Sequence, residues 1–450
     1  MTGTGFPSGP LVAWYGDDFT GAAAVMEVLE FSGFPSVLFL GPPDAALLAR
    51  FSGRRGIGIA SDARTRGPDW MTQNLPTAFA ALRATGAPVV HYKLCSTFDS
   101  SPDVGSIGRA AELGTGEWAP LVVAAPRIGR WQAFGNLFAR HAEGIARLDR
   151  HPTMARHPVT PMAEADVRRH LAGQTDLPIG LIDLTDLQGG ASAALVRERA
   201  RGARVVAIDV VDAASLRAIG GLIWDNARLD QLFVLGSQGV EDALIAAWVA
   251  DGHPLPPPRP AAAAIGPVAI ISGSCAPETD RQIAAGEAAG FASIRLEMGT
   301  AKDAIGLRNA AETAEAAALA ELAQGNSIII YTARGPADPA IPGTKALLAA
   351  ARQPDLVGQT LGGLLDRLHR KARLGRLAVA GGDTSGAVTA ALGVVALTAK
   401  AEFVPAVPLL HAHGPDARHR PVELVLKGGQ MGPDCIFAMI RDGMPQPVTA

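Results

Sequence analysis

Residues 377–388, Leu-Ala-Val-Ala-Gly-Gly-Asp-Thr-Ser-Gly-Ala-Val, decide how the chain folds. The apolar run Leu377–Ala380 reads as a buried parallel strand. It breaks at Gly381-Gly382-Asp383-Thr384-Ser385-Gly386 and resumes as a small-residue helix through Ala387, Val388 and Ala391. Paired glycines allow a sharp turn and a close approach of backbone to ligand. Asp383, Thr384 and Ser385 are expected to cap the helix. A glycine-led helix start offers free N–H groups and partial positive charge, which suit a phosphate. A tight turn with no ligand accounts for the same residues locally.

Working outward, the same strand–loop–helix design recurs. Leu11–Tyr15 is a strand that runs into Gly16-Asp17-Asp18-Phe19-Thr20-Gly21-Ala22 and then a helix over Ala23–Ser32. Adjacent carboxylates perturb each other's ionisation. They suit a metal or a substrate hydroxyl, or a helix cap with a solvated neighbour. Strands are expected at Ser36–Leu40, Gly56–Ala60, Val89–Leu94 and Leu121–Ala125. Helices are expected at Pro43–Arg50, Trp70–Arg83 and Val104–Leu113. The alternation predicts a largely parallel sheet. Ser61–Arg66 follows one strand with two arginines, Arg64 and Arg66, and arginine is a natural carboxylate clamp. Lys93 and the hydroxyl-rich loop Cys95–Ser101, with Ser96 and Thr97, end another strand and suit a polyhydroxylated substrate. Residues 127–162 are rich in His, Arg and Pro; the expectation is a rigid loop over the site. His151 and His157 lack a metal-helix spacing.

The length of 450 residues favours two α/β domains. The break belongs in Asp251–Gly266, where five prolines stiffen the chain. This gives domains of 1–252 and 266–450 joined by a Pro-rich linker, 253–265. A formal net charge of −3 without a basic stretch speaks against nucleic acid. Three scattered cysteines fit a reducing compartment. No signal peptide or membrane span is evident, so a soluble cytoplasmic enzyme is expected.

In the second half, strands Val268–Ile271, Leu377–Ala380 and Val422–Leu426 each end in a small-residue loop: Ser272-Gly273-Ser274, the 381 loop, and Lys427-Gly428-Gly429. In a parallel sheet the three loops share one edge and could wrap a nucleotide. Lys427 adds a cation for phosphate. None has P-loop or full dinucleotide spacing. A nucleotide-dependent oxidoreductase and a non-catalytic sugar-acid binding protein remain the competing classes.

Taken in order, GDDFTGA at 16–22, KLCSTFDSS at 93–101, the serine-glycine-serine loop at 272, GGDTSGAV at 381–388 and KGG at 427–429 resemble the four-carbon acid sugar kinase family over nearly the whole chain. The resemblance implies two α/β domains, each a mostly parallel sheet flanked by helices, with the site in the cleft between them. The N-terminal domain would bind the sugar acid and the C-terminal one ATP, with Mg²⁺ on the phosphates; a homodimer is the expectation from the frequency of twofold homo-oligomers alone. ATP contacts would fall on Ser272, Gly273, Ser274, Gly381, Gly382, Asp383, Thr384, Ser385, Gly386, Gly428 and Gly429. Substrate contacts would fall on Arg64, Lys93, Ser96 and Thr97. Asp18, or else Asp17, would be the base, and the metal ligands are not assigned. Many members have Asp before the Ser-Thr pair and Arg-Gly-Asn after it. Cys95 and Phe98-Asp99-Ser100 stand there instead, in the manner of the branch acting on 3-oxo acids such as 3-oxo-tetronate. The segment at 147–162 resembles a sub-branch acting on 3-oxo-isoapionate.

Overall fold

A computed structural model describes residues 6–141, 143–157, 159–256, 262–301, 303–353, 355–415 and 422–443. The side chain of Asp383, and residues 257–261 of the expected linker, lie outside the described set. The chain separates into two compact units, 1–257 and 258–450.

The first unit begins with β1 (Val12–Gly16), β2 (Ser36–Phe39), β3 (Gly56–Ala60), β4 (Val89–Lys93) and β5 (Ala119–Val122). A small sheet of β6 (Arg130–Ala133), β7 (Asn136–His141) and β8 (Gly144–Arg147) follows. Then come β9 (Ile179–Ile182), β10 (Val205–Ile208) and β11 (Leu232–Gly236). The large sheet has the order β2-β3-β1-β4-β11-β5-β10-β9, with every pair parallel. All five residues of β1, β3, β4 and β11 are buried. Such strands, covered on both faces, read as apolar runs without alternation. On one face Tyr15, Phe79, Tyr92 and Phe233 pack with the helices Pro68–Arg83 and Ile107–Gly114.

Register sets the working edge. Gly16 pairs with Ala60 and Lys93, Lys93 with Gly236, and Gly236 with Val122. The loops carrying Asp17-Asp18, Ser61–Arg66 and Cys95–Ser101 therefore leave the sheet from one row.

The expected rigid loop at 127–162 is instead the antiparallel β6-β7-β8 sheet followed by short 3₁₀ turns. Gly129 (φ +72°) and Gly135 (φ +77°) turn the chain tightly on either side of β6. The density of Arg, His and Pro hid these short half-exposed strands. His151 and His157 accept local backbone N–H bonds from Met154 and Thr160, each through Nδ1.

The second unit holds β12 (Ala269–Ser272), β13 (Ala292–Arg295), β14 (Ile328–Tyr331), β15 (Arg376–Ala380), β16 (Ala396–Val404), β17 (Val407–His413) and β18 (Val422–Lys427). The order is β13-β14-β12-β15-β18-β17-β16, parallel through β18 and antiparallel beyond it. The β16–β17 hairpin has no counterpart in the sequence reading, because its turn at Pro405-Ala406 lacks the glycine that marks tight hairpins. No helix among the described residues is long and apolar enough to cross a membrane.

Candidate substrate and nucleotide sites

In the first unit the helix Phe19–Phe31 starts directly after β1, earlier than expected, because Asp18 caps it. Asp18 Oδ1 accepts from Gly21 N (3.1 Å), and Oδ2 accepts from Thr20 Oγ1 (2.6 Å). Arg64 arrives from the 3₁₀ turn Ala63–Thr65. Its Nη2 bridges Asp17 Oδ1 (2.6 Å) and Asp18 Oδ1 (2.7 Å), while Nε reaches Asp17 Oδ2 at 3.3 Å. Two carboxylates thus share one guanidinium, which offsets their mutual repulsion.

The two aspartates are not equivalent. Burial pushes the Asp17 carboxyl up, against the pull of Arg64. Burial also acts on Asp18, but Arg64, Lys93, the Thr20 hydroxyl and the Gly21 N–H together outweigh it and hold that carboxyl down. The side chain of Asp18 is 12% exposed and that of Asp17 2%.

Lys93 is buried, and its Nζ donates to Leu94 O (2.8 Å). A Cβ on Gly21 would lie 2.7 Å from that Nζ, so the ammonium stands over the first turn of the capped helix. Cys95 Sγ and Thr97 Oγ1 are 2.9 Å apart, and burial raises the thiol. Ser96 is buried on the same loop. Phe98, at φ +59°, turns the loop so that Ser100 reaches His170 Nε2 (3.0 Å) and Gln174. The structure brings Asp17, Asp18, Arg64 and Lys93 together. Arg64, expected as a clamp for substrate, is engaged by the aspartate pair.

The sequence reading passed over two groups here. Asp99 Oδ1 and Arg130 Nε are both buried without a hydrogen-bond partner. Asp99 lay within a quoted motif. Arg130 had no local signal, because it comes from a sheet that the sequence did not reveal.

In the second unit Ser272 pairs with Ala380, and Ala380 with Lys427, so the three small-residue loops leave one row as expected. Gly273 N donates to Ala380 O (3.2 Å) and Gly381 N to Lys427 O (2.9 Å), which ties the loops at their roots. Thr279 Oγ1 bridges Ser274 Oγ (3.1 Å) and Gly429 O (2.8 Å). A Cβ at Gly429 would collide with the Ser274 hydroxyl, and one at Gly273 with that of Thr384. Glycine is needed at both points for backbone to lie this close.

The expected cap at residues 383–385 is corrected. Gly381, at φ +128°, makes the turn alone, and the helix runs Gly382–Ala391 without a side-chain cap. Thr384, Ser385 and Gly386 lie in its first turns. The Ser385 hydroxyl donates back to Gly381 O (2.8 Å), so it serves the turn. Gly428 lies against Met431. Lys427 is fully buried, and its Nζ has no hydrogen-bond partner. Burial pulls that ammonium down to about 7, with only Glu278 opposing. An unpartnered buried cation beside a glycine cradle fits phosphate oxygens. Among the described residues no three His, Cys, Asp or Glu side chains form a metal cage.

Residues 12–244 match the model of a sugar-binding N-terminal domain, and residues 269–437 that of a nucleotide-binding C-terminal domain. The chain is 45% identical to a 3-oxo-isoapionate kinase of Paraburkholderia graminis, over 98% of this chain and 96% of that one. It is 33% identical to a 3-oxo-tetronate kinase of Methylobacterium radiotolerans, over 95% and 98%. A solved Salmonella typhimurium LT2 structure superposes with a TM-score of 0.75 at 25% identity, covering 95% of this chain and 98% of that one. A solved Haemophilus influenzae protein does so with a TM-score of 0.67 at 25% identity, over 95% and 99%. The chain belongs to the four-carbon acid sugar kinase family and is a phosphotransferase of sugar acids.

Proposed function

We propose that the protein is an ATP-dependent 3-oxo acid kinase that phosphorylates the terminal hydroxyl of 3-oxo-isoapionate, with 3-oxo-tetronate as the second choice. The observation that carries this reading is the 45% identity, along essentially the whole chain, to a 3-oxo-isoapionate kinase.

The first unit receives the acid and the second the nucleotide. Ser272–Ser274, Gly381–Gly386 and Gly428-Gly429 bound a cradle of backbone N–H groups for the phosphates, and Lys427 supplies charge. A magnesium ion carried by ATP would supply further neutralisation of phosphate charge. Asp18 accepts the hydrogen bond of the attacking hydroxyl. Its carboxyl is the more exposed of the pair, and it is held ionised. Asp17 anchors Arg64, and Lys93 faces the reacting end of the acid. Ser96 and Thr97 contact its hydroxyls. Phosphoryl transfer demands in-line placement and charge neutralisation more than covalent participation, so these groups suffice.

The test is ADP release with ATP and Mg²⁺ against threonate, erythronate, their 3-oxo forms and 3-oxo-isoapionate. Turnover of a 3-oxo acid with the plain acids inert is the expected result. Turnover of the plain acids alone would overturn the substrate, and no turnover of any acid would overturn the kinase reading.

A further inference from the structure

The acid substrate brings a carboxylate, and the arginine nearest the aspartate pair is already engaged. Arg64 is bound to both Asp17 and Asp18. Resting on the kinase reading above, we infer that Arg130 is the guanidinium that receives the substrate carboxylate, with Asp99 accepting a substrate hydroxyl beside it.

The position of Arg130 is built. Its backbone forms a two-way bridge with Ala125, just beyond the end of β5 (Arg130 N to Ala125 O, 3.2 Å; Ala125 N to Arg130 O, 3.1 Å). Two residues on, Gln132 bridges Val210 in both directions (2.9 and 3.0 Å). The adjoining turn is clamped by Asp209, which accepts from Phe134 N, Gly135 N (2.9 Å) and Gln132 Nε2 (3.2 Å). The β6 strand is thus fastened to the end of β10, and Arg130 projects from it.

The guanidinium spends Nη1 on the carbonyls of Ile128 (3.3 Å) and Gly129 (3.0 Å). Nε is buried and unpartnered. Burial lowers its proton affinity, and the groups that work against this are Cys95 and Asp99 of the loop after β4. Asp99 Oδ1 is likewise buried and unpartnered. Among the described residues no ion pair joins Asp99 and Arg130, and Nε and Oδ1 each keep capacity for a ligand. An unmet donor on a cation and an unmet acceptor on an anion that acts on it electrostatically complement a molecule with a carboxylate and a hydroxyl.

The experiment compares the full-length enzyme with the 3-oxo acid and with its neutral primary amide. Arg130→Met should raise KM for the acid about 100-fold and bring the acid-to-amide ratio of kcat/KM close to 1, as expected when one member of a buried charged pair is removed. KM for ATP should not move. Arg130→Lys, which keeps charge and bulk but loses the planar fork, should recover part of the preference for the acid. An unchanged acid-to-amide ratio in either folded variant would overturn the inference and leave the kinase reading intact. Wild-type enzyme inert towards every acid would overturn both.

Discussion

The hydroxyl of Thr384 lies well inside van der Waals contact of the point where a Cβ on Gly273 would be. Two of the three nucleotide loops are therefore in touch through one hydroxyl and one missing methyl group. Gly273→Ala must turn the Thr384 side chain to another rotamer, or else displace the 272 loop or the first turn of the 382 helix. The expected penalty is about 1–3 kcal/mol, divided between folding and ATP binding. A melting temperature and an ATP KM measured on Gly273→Ala and on Gly273→Ala/Thr384→Ala test the contact. The double variant should recover stability; if it is no more stable than the single one, the close approach is not the cause.

Asp18 has two duties that one substitution separates. Asparagine caps helices about as well as aspartate, so Asp18→Asn should keep its fold, with a lower melting temperature because Arg64 and Lys93 lose the carboxylate they hold ionised. It cannot take a proton, and turnover should fall about 10²- to 10⁴-fold with the ATP KM preserved. Asp17→Asn removes a carboxyl that burial already pushes up, so it should loosen Arg64 with the smaller loss of stability and of turnover. Near-normal turnover in Asp18→Asn, with a large loss in Asp17→Asn, would exchange the two roles.

Lys427 links phosphate binding to protons. Its ammonium falls from 10.5 to about 7 in the folded chain through burial. A lowered proton affinity means that the unfolded state binds more protons between these values. The contribution to stability is fully present above 10.5 and is lost as pH falls through about 7. Phosphate oxygens beside Nζ should restore the proton, so ATP binding at pH 8 should take up close to one proton. Calorimetry in buffers of different ionisation enthalpy reads this directly. Lys427→Met should abolish the uptake; uptake that persists in that variant would place the titrating group elsewhere.

Arg376 is among the largest fully buried side chains. It pairs with Glu423 and donates to Ile440 O (2.6 Å) and Ala263 O (3.0 Å), fastening both ends of the second unit to β15. Arg376→Met leaves those carbonyls unmet, while Glu423 keeps Lys400. A loss of about 2–6 kcal/mol is expected from the two buried carbonyls left unmet, read by denaturant unfolding. A change within error would show that solvent replaces the guanidinium.

The parallel strands were legible because both faces are covered, and such strands stand out as apolar runs that stop at glycine. The edge they share follows from the same pattern, and with it the meeting of the 272, 381 and 428 loops. The three-stranded sheet was not legible: its strands span four to six residues, are half exposed, and carry Arg130, Trp131 and Arg140 where a buried strand would be apolar. The helix start at Gly382 was misplaced for another reason. A capping side chain is visible in sequence, whereas a turn made wholly by the φ of Gly381 is not.

The β6–β8 sheet pairs within itself over short range, and it is rooted in the first unit both by Asp209 and Val210 and by Leu137, Ala139, Leu148, Met154 and Met162, which join that unit's main core. A piece of chain attached in that way is a keystone rather than an appendage. Its half-exposed strand residues can change one at a time without opening the core, whereas its buried side chains cannot be lifted out without loosening the parallel sheet they pack against. Point changes on its open face, and not wholesale exchange, are the route by which such an enzyme could take a new acid.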